Sequence, residues 1–103
     1  MTIQSRVQEI VFKAIEESNR QMPPDSHIEI ALDTALYGES GKLDSLGLVS
    51  LILEVELGIE EELGKVLVLA DEKAFSRTSS PFRTVGTLTN YIAELLDEEH
   101  HLD

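Results

Sequence analysis

The stretch "DSLGLVSLILEVELGIEEELG", residues 44–64, limits what this chain can fold into more than any other feature. Leu46, Val49, Ile52, Leu53, Val55 and Ile59 recur at helical spacing toward Leu63. They do not share one face. Ile52, Val55, Ile59 and Leu63 follow one another at three, four and four, and are expected to line a core. Leu46, Val49 and Leu53 form a second stripe turned away from the first, and Leu48 and Leu51 are apolar too. A helix that is apolar nearly all round is normally buried all round. A chain of 103 residues has material for only one small domain with one modest core. The second stripe must then be covered in part by a neighbouring loop or stand exposed for a partner. An apolar patch rimmed by acids marks an interaction site.

The helix should begin at Asp44 or Ser45, and Gly64 sits where a left-handed C-cap belongs. Gly58 in its interior costs ~1 kcal/mol relative to Ala, so an end near Gly58 is the alternative to an end at Gly64. An earlier helix is plain. Ile3, Val7, Ile10, Val11, Ala14 and Ile15 keep helical spacing, with Arg6, Glu9, Lys13 and Glu16 on the other side. Thr2 can cap it, and Pro23 and Pro24 place its end before "MPP". The connection over residues 21–43 carries Ile28, Ile30, Leu32, Leu36 and Tyr37, too many apolar residues for a solvated linker. It is expected to pack over the core, with a short turn near residues 33–36.

"KVLVLAD" has strand periodicity but no partner strand, so a buried extended connection is expected. Asp71 can cap a short helix over residues 72–75, and "SRTSSPF" is a turn-rich break. A last helix should start near Thr84, with Val85, Leu88, Ile92 and Leu95 as its apolar stripe. Residues 97–103 read as a polar, frayed tail. The expected fold is all-α: one domain over residues 1–103, a small bundle of three main helices plus one short helix.

Several chemistries are excluded. There is no cysteine, hence no disulfide, thiolate metal site or cysteine nucleophile. No run approaches the ~20 apolar residues of a membrane span. "MTIQSRVQEI" lacks the layout of a signal peptide, so a cytoplasmic location is expected. The net charge of −12 opposes nucleic acid and favours partners with a basic docking face. Residues 44–72 hold eight acids and one base, Lys65, so the charge gathers around the quoted stretch. His100 and His101 beside Glu98 and Glu99 lack helical ligand spacing, and Glu60, Glu61 and Glu62 lack the alternation of a calcium loop. No metal site is expected. Arg77 and Arg83 flank "TSSPF", where helix-start solvation is the simpler role.

The pair Asp44–Ser45 raises a sharper question. Both are good N-cap residues, and a helix needs only one. A reciprocal capping box would need Glu or Gln three residues on, where the chain has Gly47 or Leu48. One of the pair is therefore spare. Ser45 as a hydrolytic nucleophile lacks a Gly-x-Ser-x-Gly elbow, and no enzymatic activity is expected.

"LDSLGLVSLILEVE" resembles the modification site and second helix of acyl carrier proteins. The order of first helix, long loop, second helix, short helix at "ADEKAF" and last helix from "TVGTLTNYI" is similar to that family over nearly the whole chain. The resemblance implies that Ser45 carries 4′-phosphopantetheine, donated by coenzyme A through a phosphopantetheinyl transferase, with Asp44 and Leu46 beside it. It further implies that Leu46, Val49, Leu53, Glu54 and Glu56 meet acyl-loading and acyl-using enzymes with basic docking faces, and that the carrier is a monomer. A phosphodiester at Ser45 would sit where a helix N-terminus favours an anion. The thiol of the arm would let a protein without cysteine hold a thioester. Gly47 and Ser50 stand where many members carry acids, the second helix is about a turn longer, and "SRTSSPFR" is longer and more basic than is typical. These departures imply a specialised member rather than one serving general fatty-acid synthesis. The alternatives are an aminoacyl or peptidyl carrier with the same arm, and an unmodified helical interaction module.

Overall fold

The computed structural model describes residues 2–37, 41–69 and 81–101, with residues 98–101 described by backbone alone. Three α-helices are found there: α1, Ile3–Arg20; α2, Ser45–Leu63; and α3, Val85–His101. A single 3₁₀ turn, Pro24–Ser26, lies in the first connection. The fold is an all-helical bundle with no strand among the described residues. The short helix expected over residues 72–75, its Asp71 cap and Arg77 lie outside the described residues.

Local chemistry sets the helix boundaries. Thr2 caps α1 by accepting the Ser5 N–H at 3.1 Å. Gly64 ends α2 in the left-handed region at φ 68°, its N–H reaching the Glu60 carbonyl at 3.0 Å. Gly58 does not interrupt the helix. A Cβ there would come within 2.9 Å of Ile10 Cγ2, so the missing side chain is what lets α1 lie close against α2. Ile10 meets Gly58 while Arg6 donates to the Glu62 carbonyl, which makes the two helices antiparallel. α1 packs against both α2 and α3.

The core gathers Val7, Ile10, Val11, Ala14 and Ile15 of α1, the expected Ile52, Val55 and Ile59 of α2, and Val85, Leu88 and Ile92 of α3. Leu48 and Leu51 are buried as well. Ile3 is half-exposed at the first turn of α1, and Leu96 is buried where Leu95 is only partly so. α3 continues through His101, past the Asp97 at which a polar tail was expected.

The first connection is fixed to the bundle mainly through its backbone. Asn19 pairs with Ile28 twice, its Oδ1 accepting the Ile28 N–H at 2.8 Å and its Nδ2 donating to the Ile28 carbonyl at 3.0 Å. Ile28 and Leu36 enter the core, while Ile30, Leu32 and Tyr37 remain half-exposed. A turn closes from Thr34 N–H to the Ala31 carbonyl, slightly before the position expected. The Leu32 and Thr34 carbonyls then accept the Gly86 and Val85 N–H groups at 2.7 and 3.0 Å. These are first-turn donors of α3, which a helix cannot satisfy from within. Thr84 completes the cap, exchanging bonds of 3.0 Å with Thr87 in both directions.

The second connection corrects an expectation. Residues 65–69 are extended but not buried as a whole. Leu69 is fully buried and Leu67 partly, whereas Val66 and Val68 are about 70% exposed, at 71% and 69%. The segment has the alternation of a strand, with one face on the core and the other exposed.

Candidate functional site

The N-terminus of α2 distributes the Asp-Ser pair between two roles. Asp44 is the cap, its Oδ1 accepting the Gly47 N–H at 2.7 Å, and its carbonyl accepts the Leu48 N–H at 2.9 Å. Ser45 is the first helical residue and its exposed hydroxyl takes no part in the cap. Gly47 is matched to this cap. A Cβ on it would lie 3.2 Å from both Asp44 Oδ1 and Leu43 Cδ2, tighter than ordinary van der Waals contact. Within the first turn of α2 there is no acid, and the Asp44 carboxylate at the cap is the acidic side chain that meets the positive end of its dipole.

A hydroxyl from the loop reaches the same place. Tyr37 Oη lies 3.3 Å from Ser45 Oγ, and either can donate. The loop brings it there by folding back on itself: the Leu43 N–H donates to the Leu36 carbonyl at 3.1 Å, and Tyr37 pairs with Leu43 in an isolated parallel bridge. Gly41 permits this, since a Cβ there would collide with the Leu36 carbonyl and the Tyr37 nitrogen. By sequence Tyr37 counts only among the loop apolars, and this contact is not legible there. Its only local signal is a polar-tipped aromatic eight residues before a helix-start serine.

Beyond Ser45, α2 presents the second stripe to solvent. Leu46 is 76% exposed and Leu53 57%, with Val49 and Leu57 also open, whereas Ile52 one position before Leu53 is fully buried. At 3.6 residues per turn, Glu54 and Glu61 flank this strip on one side, Glu56 and Glu60 on the other. The described residues of the first connection, 21–37 and 41–43, leave Leu46 and Leu53 largely open.

The two acids expected at the docking face differ in their surroundings. Glu54 lines an open groove of about 440 Å³ between α1 and α2, with Leu57, Glu61, Lys13 and Arg20. Ser45 does not line that groove. Glu56 accepts the backbone N–H of Leu69 at 2.7 Å and so holds the second connection against α2. No group of three or more metal-ligating side chains gathers among the described residues, and the side chains of His100 and His101 lie outside them. No described helix is long and apolar enough to cross a membrane.

Fold and site together define a small acidic helical bundle with an exposed serine at the start of a helix whose outer face is apolar and edged by carboxylates. Comparison with protein-family models, curated proteins and solved structures found no match.

Proposed function

We propose that this chain is a carrier protein of the acyl-carrier type. It holds acyl or related groups as thioesters on a 4′-phosphopantetheine arm at Ser45 and presents them to partner enzymes. One observation carries the reading. Asp44 takes the cap bond to Gly47, which leaves the exposed Ser45 hydroxyl unused by the helix it begins. A capping serine would have to give up its bond on modification, and Ser45 has none of that kind to lose.

Two further features support it. Ser45 and Leu46 occupy the first two helical positions, where N–H groups have no intrahelical acceptor. An anion ester-linked to Ser45 would meet those donors and the positive end of the dipole. The apolar strip from Leu46 to Leu57 leads away from the same serine, so an enzyme docked on it would stand beside the attachment point. The acids along its edges suit a basic partner surface.

The test is intact-mass measurement after incubation with coenzyme A, Mg²⁺ and a phosphopantetheinyl transferase. The carrier reading expects the mass of one phosphopantetheine group to be added to the native chain and none to Ser45→Ala. An unchanged mass in the native chain would favour the alternative, an unmodified module that uses the α2 strip alone. The mass of the protein isolated with its load would separate acyl from aminoacyl cargo.

A further inference from the structure

We infer that Tyr37 is a positioning residue for the Ser45 hydroxyl and for the phosphodiester formed on it. This rests on the carrier reading. Three observations converge on the phenol. Its Oη is 3.3 Å from Ser45 Oγ. The neighbouring Leu36 is held by its N–H on the Arg83 carbonyl at 2.7 Å and by its carbonyl on the Leu43 N–H at 3.1 Å, and Tyr37 bridges to Leu43. Leu36 beside it is fully buried, so the ring is carried by an anchored segment.

The chemistry gives the contact a direction. A serine hydroxyl turns among three staggered wells, and a fixed partner biases it toward one. In the transfer, the Ser45 Oγ–P bond forms as the pyrophosphate P–O bond of coenzyme A breaks. Adenosine bisphosphate leaves with the electron pair, and the Ser45 proton passes to a base of the transferase. Afterwards Ser45 Oγ is an ester oxygen with no proton, and the phosphate oxygens only accept. Tyr37 must then be the donor, and a bond between neutral hydroxyls becomes a shorter, stronger one to an anion.

Tyr37→Phe removes the hydroxyl and keeps the ring. With native protein, Tyr37→Phe and Ser45→Ala, kcat and KM for the transferase are measured on folded material. Tyrosine emission is followed through the reaction. The chain has two tyrosines and no tryptophan. Tyr91 lies on α3, edge-on to Phe82, so a change on modification reports Tyr37. The expected result is a kcat lower by about two- to tenfold in Tyr37→Phe, the range of one hydrogen bond. KM should be unchanged, and an emission change should occur in the native protein but not in the variant. Equal kcat with unchanged native emission overturns the inference and leaves the carrier reading standing. A raised KM with equal kcat also overturns it, by placing Tyr37 in docking. No mass gain in the native protein removes the carrier reading itself, and the inference with it.

Discussion

The Glu56 carboxylate accepts the backbone N–H of Leu69 at 2.7 Å, so an acid on the outer side of α2 holds a fully buried residue of the next connection in place. Glu56 and Glu54 are therefore not equivalent, although both edge the same strip. Glu56→Lys should destabilise the fold by about 1.5–2 kcal/mol, the lower part of the range for a bond to a charged group because Glu56 is partly exposed. Glu54→Lys should stay within about 0.5 kcal/mol. Chemical denaturation of the two variants checks this, and equal losses would show that the bond to Leu69 contributes nothing.

The cap assignment separates stability from modification. Asp44→Ala should cost about 1 kcal/mol through loss of the bond to Gly47. Ser45→Ala should change stability by less than about 0.5 kcal/mol and, on the carrier reading, abolish the mass gain. Thermal melts and intact mass on the same two samples are sufficient.

Adjacent residues of α2 should respond in opposite ways. Ile52 is fully buried and Leu53 is 57% exposed. Ile52→Ser leaves a cavity and a buried hydroxyl, a loss of about 2–5 kcal/mol. Leu53→Ser should cost less than about 0.5 kcal/mol and weaken partner binding. Similar melting midpoints for the pair would mean that the strip is covered in solution.

Docking through the acid edges should depend on salt. Charge reversal at Glu54 or Glu61 should slow association with a partner more than it speeds dissociation. The difference from the native protein should shrink as salt shortens the screening length below about 10 Å. Stopped-flow association at two ionic strengths tests it. Rates indifferent to salt would limit the acids to solubility.

Gly58→Ala offers a test of helix packing. Helix propensity alone favours Ala by about 1 kcal/mol. The new methyl would press on Ile10 Cγ2, a stiff branched side chain in the core, at 2.9 Å. Overpacking of this kind costs about 1–3 kcal/mol, so the variant should gain no stability and should lose about 1 kcal/mol. A more stable Gly58→Ala would show that α1 and α2 can part at little cost.

The sequence was informative where structure depends on a few neighbours. Thr2 is legible as a helix boundary, and the ends of α2 to within the choices Asp44 or Ser45 and Gly58 or Gly64, because caps act within one turn. The separation of Ile52 from Leu53 is legible because helical spacing decides which face a residue takes. What could not be read joins distant parts of the chain. The contacts of Tyr37 with Ser45, of Glu56 with Leu69 and of Asn19 with Ile28 each depend on a loop path that no periodicity encodes. The exposure of Val66 and Val68 was missed for a related reason: alternation reveals two faces but not whether a second layer covers the outer one.

The carbonyls of Leu32 and Thr34 accept the Gly86 and Val85 amides, so the start of α3 is completed by residues some fifty positions earlier. The exchange of those two amide protons with solvent then reports on the first connection as well as on α3. Release of residues 32–34 would unlock the first turn of the last helix in the same event, making the two segments one cooperative opening unit. A tight handle on that connection, such as a partner grasping Tyr37 or Leu32, would slow deuterium uptake at Val85 and Gly86 without touching α3.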